Sequence, residues 1–378
     1  MIQNPKKNKN KMELEVQKYL KGHSLAELSE EHGIKVKEYE HVVCLNYDQI
    51  KSVKTHPITI ECRALKLYKD GNWTVASRAF DRFFNYGEAE AYVKTFCFST
   101  SVVAEKVDES LIPVWFDKIE KQWKISTRGT AFGEGGNGDK SFHEMVIYTF
   151  PELLNIMNRQ DPDFTFLFEF ISPENRIVTP YEEPQLVLLG IRHNFLGNYR
   201  TITEMEEFVK KCDTKSVRMC KFYSFESLDK AVEFTSSFKR LEEGFVCWDL
   251  QSGVRIKIKS CQYVAIHLMR GKEFDDECIL SVVLQGETDE FVSYYPDLAE
   301  KFRDGHKKVV LFKEHISTGY AEICHLPQKE YAISVLNNPQ KKKYSRLFFD
   351  ARKTGNIALS FDKLDIKVKI EFIQSYFL

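Results

Sequence analysis

Lys106 holds the most chemical promise in this chain, because of what surrounds it. It ends an apolar run, Val102-Val103-Ala104, and stands two residues before Asp108. A lysine attacks only as the free amine, and at its reference pKa near 10.4 about one in a few thousand is neutral at pH 7. An apolar approach and neighbouring cations both lower that value. The approach is local here, whereas the cations must come from distant parts of the chain: Arg63, Arg82, Arg128, Lys257 and Lys259, together with a bound divalent metal. Such a set suits attack on a phosphate. The same positive groups that free the amine stabilise charge building on a transferring phosphoryl group.

Two further stretches sharpen the reading. In Val254-Arg255-Ile256-Lys257-Ile258-Lys259 the alternation is that of a strand, so Lys257 and Lys259 share one face and Ile256 and Ile258 the other. Two ammonium groups side by side repel unless an anion lies between them. In Phe164-Thr165-Phe166-Leu167-Phe168-Glu169-Phe170-Ile171 the phenylalanines occupy every second position and Glu169 lies on the opposite, still apolar, face. A carboxylate there must find a partner or shift its pKa. It is either an ion pair at a strand end or an acceptor for a sugar hydroxyl. Other features carry less. Gly133-Glu134-Gly135-Gly136-Asn137-Gly138-Asp139-Lys140-Ser141 is glycine-rich, but Asp139 separates the last glycine from the lysine, so amides and ammonium do not converge as a phosphate loop requires. It reads as a loop capping a helix over about 141–159. Arg78, Phe80, Arg82, Phe83 and Phe84 form a cationic and aromatic cluster in a connecting segment, and His193 reads as a satisfied loop residue.

The elements that must position these groups are mostly strands in the first two thirds. Ser24 with Glu27 is a capping box and Gly33 a stop, which gives two short helices over 12–33. Strands follow at 42–47 and 58–68, then a turn at Asp70-Gly71 into 73–77. Further strands are expected at 111–116, 122–129, 164–171 and 186–191, and helices at 204–211 and 227–240. Beyond about 265 the texture becomes helical, at 297–302 and 331–336, with a basic run at 339–346. The last stretch, Leu364-Asp365-Ile366-Lys367-Val368-Lys369-Ile370-Glu371-Phe372, alternates like a strand.

With 378 residues, 43% hydrophobic and 29% charged, the chain has a globular composition and room for two domains. No apolar run approaches the roughly 20 residues that span a bilayer, and the lysine-bearing N-terminus lacks an apolar core behind it, so a cytoplasmic location is expected. Nine cysteines without a Cys-x-x-Cys pair point to reduced thiols and away from disulfides or zinc. A net charge of −1 excludes indiscriminate coating of nucleic acid but not a local basic groove.

Taken together, Glu61-Cys62-Arg63, Ser77 to Asn85, Lys106-Val107-Asp108-x-Ser110, Phe168 to Val178, Glu243-Gly244-Phe245-Val246 and Lys257-Ile258-Lys259-Ser260-x-x-Tyr263 resemble the motifs of the bacteriophage RNA ligase 1 family, which are covalent nucleotidyltransferases. The resemblance covers about residues 40–265 and extends more weakly to 350. It implies an α+β fold: an antiparallel-sheet adenylyltransferase domain over 1–265 and a smaller, mostly α-helical domain over 266–378 that presents RNA. It makes the last stretch helical, against its alternation. It further implies ATP and a divalent metal, Mg2+ or Mn2+, as cofactors. By this resemblance Lys106 forms lysyl-AMP. Arg63, Arg82, Phe84, Asp108, Arg128, Glu169, Lys257 and Lys259 bind ATP, with Glu169 at the ribose and both lysines at the α-phosphate. Glu243 and Asp289 serve the metal, and Tyr263 the sealing steps. Asn46-Tyr47 falls, across a gap, at a further ATP contact. The implied partner is RNA with 5′-phosphate and 3′-hydroxyl ends, single-stranded or in a transfer RNA loop. Three departures stand out: Glu109 replaces a glycine, which costs backbone freedom and adds negative charge, while Arg82 and Arg128 replace lysines and change hydrogen-bond geometry. Two rival functions share these motifs: a nucleotide- or RNA-binding protein disabled by Glu109, and a nucleotidyltransferase with another acceptor.

Overall fold

The computed structural model describes residues 13–88, 95–136, 140–174, 181–235, 237–238, 242–260, 275–294 and 296–377. The chain divides into two compact units, Met1–His267 and Leu268–Leu378.

The first unit is α+β and carries three sheets. Its strands are β1 (Ile34–Glu38), β2 (Val42–Tyr47), β3 (Leu65–Tyr68), β4 (Val75–Ser77), β5 (Phe84–Asn85), β6 (Ser101–Lys106), β7 (Ser110–Asp117), β8 (Gln122–Ile125), β9 (Phe164–Ile171), β10 (Gln185–His193), β11 (Val217–Met219), β12 (Phe222–Tyr223), β13 (Gly244–Asp249) and β14 (Arg255–Lys259). They are ordered β1-β2-β3-β4, β11-β10-β9-β7-β8 and β12-β6-β13-β14-β5. Pairing is antiparallel except at β10/β11 and β14/β5.

Period two explains which faces are covered. Phe166, Phe168 and Phe170 of β9 pack with Ile112 and Val114 of β7 against Met145, Leu153, Met205 and Phe208, which come from the helices Phe142–Thr149, Leu153–Met157 and Ile202–Cys212. Full burial of side chains of this size stabilises the fold by about 1.5–3 kcal/mol each. The alternate residues Leu111, Leu167 and Leu189 meet Ala64, Ala79 and Phe80 on the other side. Glu169 belongs to this second face, opposite Leu111 and Val187. Between β6 and β7 the chain passes from one five-stranded sheet to the other, and the three residues that make the passage, Val107, Asp108 and Glu109, directly follow Lys106.

The capping signals near the start hold. Ser24 Oγ accepts from Glu27 N–H, the Glu27 carboxylate returns to the Ser24 N–H, and Gly33 ends the helix in the left-handed region. Two expected strands differ. Residues 57–61 form a helix, Pro57–Glu61, leaving only Leu65–Tyr68 extended. Pro57 at the first helical position and His56, whose Nδ1 accepts the Ile58 N–H, start the turn, and Ile58 and Cys62 bury one helical face. At the end of the chain, Ile366–Phe377 is a helix, as the resemblance implied. Ile366, Ile370 and Ile373 recur at helical spacing and pack into the core of the second unit, so period 3.6 outcompetes the shorter alternation. That unit is helical wherever it is described, with Phe312, Ile316, Tyr331, Phe348 and Phe361 at its centre. Its basic run forms the helix Pro339–Lys343 and the start of the helix Ser345–Thr354. Among the described residues no helix is long and apolar enough to cross a membrane, and the eight cysteines are free thiols, six of them buried.

Gly244 is the glycine that the first unit depends on most. Its φ is +143°, and a Cβ there would stand 2.0 Å from the Ile258 carbonyl oxygen on the paired strand. Gly244→Ala must therefore separate β13 from β14 or strain the backbone, at a cost of about 1–3 kcal/mol or more. We expect its urea midpoint to fall well below wild type, whereas Gly22→Ala, which has no positive φ and meets nothing within 4 Å, changes it far less.

Candidate active site

Lys106 stands at the last position of β6, where the register places it beside Gly244 of β13, and Gly244 in turn beside Lys259 of β14. Glu243, one residue before Gly244, reaches both lysines. Its Oε2 lies 2.5 Å from Lys106 Nζ and its Oε1 3.5 Å from Lys259 Nζ. The Glu243 side chain is 4% exposed, against 19% for Lys106 and 13% for Lys259. One buried carboxylate thus bridges two ammoniums on two strands. This differs from the expected shell of cations around the amine: the immediate partner of Lys106 is an acid, and the arginines gather elsewhere.

Their centre is Tyr47. Arg128 and Arg82 lie over its ring at 4.7 and 4.9 Å from the centroid. Burial opposes ionisation of the phenol, but Arg128, Arg63, Arg82 and Lys257 outweigh it and hold its pKa below the ordinary value. Arg128 is steered by Asn46, whose Oδ1 accepts its Nε–H at 3.1 Å. Arg82 pairs with Glu88 at 3.5 Å, and Arg63 rests against Phe83 and Phe80. Arg63 Nη1 is buried without a hydrogen-bond partner among the described residues. A charged donor left so costs at least about 1–3 kcal/mol unless an anion meets it.

Arg63, Phe83, Lys106 and Arg128 line one cavity of about 400 Å³ together with Glu109 and Glu169, among others, whereas Arg82, Asp108, Glu243, Lys257 and Lys259 are not part of its lining. Glu169 is pushed up to about 8 from an ordinary 4.5. Burial is the main cause, Glu243 and Asp108 add to it, and Lys106 and Arg63 oppose it. The apolar second face of β9 therefore shifts the acid toward its neutral form. Asp108 is 4% exposed and its N–H donates to Tyr181 Oη at 3.3 Å. Phe84 is 1% exposed, lies under the Arg82 guanidinium and is not part of this lining, where Phe83 takes its place. Lys257 Nζ stands 5.6 Å from the Phe83 ring. Tyr263 and the 175–178 part of the Glu169 motif lie outside the described residues. Asp289 belongs to the second unit, on the helix Thr288–Tyr294. Glu61 is a structural residue, accepting the N–H groups of Glu15 and Val16, and His193 Nδ1 accepts two loop amides.

Residues 61–263 match the RNA ligase family. The chain belongs to this family, in its bacteriophage RNA ligase 1 branch. A putative bifunctional polynucleotide kinase/RNA ligase of Autographa californica nuclear polyhedrosis virus is 32% identical over 75% of the chain and 42% of its own length. An RNA ligase of Rhodothermus phage RM378 is 28% identical over 46% of the chain and 48% of its own. The chain thus spans less than half the length of these two relatives. Among solved structures, an archaeal ATP-dependent RNA ligase aligns with a TM-score of 0.49 at 14% identity, over 76% of this chain and 78% of that one. Beside the residues expected to act from the motifs, the cavity includes Phe83, Glu109 and Arg255. Period two already puts Arg255 on one face with Lys257 and Lys259.

The Glu169 shift has a measurable consequence. Between its unfolded value of about 4.5 and its folded value of about 8, the native state holds a proton that the unfolded state has lost. Stability from this residue therefore falls as pH rises through that window and levels off above it. Urea midpoints of Glu169→Gln, followed from pH 5 to 9, should lack this decline and exceed wild type at pH 9. Parallel profiles for the two proteins would show that Glu169 ionises normally.

Proposed function

We propose that the protein is an ATP-dependent RNA ligase that joins RNA 5′-phosphate and 3′-hydroxyl ends. The observation that carries this reading is Lys106, joined through Glu243 to Lys259, lining one cavity with Arg63, which keeps an unpartnered buried nitrogen. A nucleotide triphosphate fits that distribution: its α-phosphate meets Lys257 and Lys259, and its outgoing pyrophosphate meets Arg63 and Arg82. Arg128 and Asp108 complete the ATP contacts. Glu169, mostly protonated at neutral pH, is suited to a sugar hydroxyl.

Lys106 Nζ attacks the α-phosphorus, a P–N bond forms, the P–O bond to pyrophosphate breaks and the amine loses its proton. An RNA 5′-phosphate oxygen then displaces Lys106 to give RNA-adenylate, and a 3′-hydroxyl displaces AMP to close the strand. Glu243 already balances two positive charges, so its oxygens suit a divalent cation, Mg2+ or Mn2+, which would neutralise charge on the phosphates. Lys106 must leave its pair with Glu243 before the amine can react. By the family motifs Asp289 is a further metal candidate in its own unit, and Tyr263 is assigned to the sealing steps.

Incubation with ATP labelled at the α-phosphate should leave label on the denatured protein in wild type and none in Lys106→Ala. Lys259→Ala should label about 10²–10³-fold more slowly, the loss usual for a donor to developing phosphate charge. Glu109→Gly should label faster, because it removes a carboxylate from the cavity lining. Wild-type protein that binds ATP without label would leave a binding module in place of the enzyme, and labelled protein that never joins RNA would point to another acceptor.

A further inference from the structure

A second cavity of about 590 Å³ adjoins the first, and Phe83, Trp248 and Arg255 line both. Its walls come from the 78–83 segment, the end of β10, the loop 196–202 and the β13–β14 turn. Four arginines, Arg78, Arg192, Arg200 and Arg255, face one acid, Asp81. Burial would raise the pKa of Asp81, but Arg192 and Arg78 bring it down to about 2, so its charge is permanent at neutral pH. Arg192 is committed: it grips Asp81 through two nitrogens at 2.9 and 2.6 Å and also donates to the Ala79 and Gly197 carbonyls. Arg200 pairs with Glu204 at 2.6 Å.

The other two guanidiniums are differently placed. Arg78 and Arg255 are 5% and 6% exposed, yet Arg78 Nε and Arg255 Nη2 have no hydrogen-bond partner among the described residues. Arg255 is held flat by Trp248, Tyr199 and Phe80, at 4.2, 4.1 and 4.8 Å. Arg78 is fixed through its backbone N–H, which donates to Asn194 Oδ1 at 3.2 Å, and through Asp81. Two rigid, desolvated cations with spare donors, beside aromatic rings and an exposed polar rim of Asn198 and Gln251, match a phosphodiester with its base.

We propose that this second cavity holds an RNA nucleotide flanking the junction, with its backbone phosphate on Arg78 and Arg255 and its path into the first cavity past Phe83. The proposal rests on the ligase reading above. An RNA phosphate is favoured over the phosphates of ATP because Lys106 and Glu169 line the first cavity and not this one.

The test uses the full chain and two steps measured apart: lysyl-AMP formation from labelled ATP, and sealing of a pre-adenylylated RNA without ATP. Arg78→Gln and Asn198→Glu should keep the first within about twofold and raise the RNA KM in the second about tenfold, with a weaker dependence on salt. Asn198 is an exposed loop residue, so its variant keeps the test open if Arg78→Gln fails to fold. Sealing within twofold of wild type in Asn198→Glu would overturn the proposal. So would a raised KM for ATP in lysyl-AMP formation, which would assign the cavity to nucleotide phosphates. Failure of the ligase reading itself is seen separately, as absence of lysyl-AMP in wild type.

Discussion

The first unit depends on one buried carboxylate held between two ammoniums that belong to different strands. Removing Glu243 from water costs several kcal/mol, which is recovered only if both lysines meet it in good geometry. That condition fixes the register of β6, β13 and β14 together, since Lys106, Gly244 and Lys259 must stand in one row. It also explains the backbone of Gly244, whose φ of +143° lets β13 approach the Ile258 carbonyl where any side chain would intrude. Structure and the proposed chemistry therefore share the same bond: the pair that aligns the strands is the pair that the proposed reaction would have to open.

Around the cavities guanidiniums are oriented by aromatic rings as well as by acids such as Glu88 and Asp81. Arg82 and Arg128 lie on the ring of Tyr47, and Arg255 lies among three rings. Stacking on aromatic faces orients a guanidinium without neutralising it, so its donors stay available to an anion. Arg192 is the counterexample, since Asp81 and two carbonyls take up its donors and make it a strut. Glu169 resolves the opposite problem. An acid on an apolar face near Glu243 and Asp108 takes up a proton, as its shift to about 8 reflects.

Much of this was legible from residue order. The alternation in β9 placed Glu169 opposite the phenylalanines, that in β14 placed Lys257 with Lys259, and the Ser24 box and Gly33 bounded a helix. Where alternation failed, a stronger local signal was present: Pro57 began a turn with the His56 cap, and Ile366, Ile370 and Ile373 offered a helical stripe to a helical core. Phe84 illustrates what residue order leaves open. Neighbours in a strand point to opposite sides, and only the packing under Arg82 shows that Phe83, and not Phe84, lines the cavity.

The sequence alone determined the family motifs, the strand-rich first part and helix-rich last part of the chain, and the charged residues that are candidates for the site, because periodicity and residue chemistry are local properties. Tertiary structure decided which charges meet. That Glu243 takes Lys106 and Lys259, that Tyr47 gathers the arginines and that Arg78 and Arg255 share a second cavity all depend on strands distant in the chain. Coulomb and stacking energies fall off with separation in space, and separation along the chain does not reveal that distance.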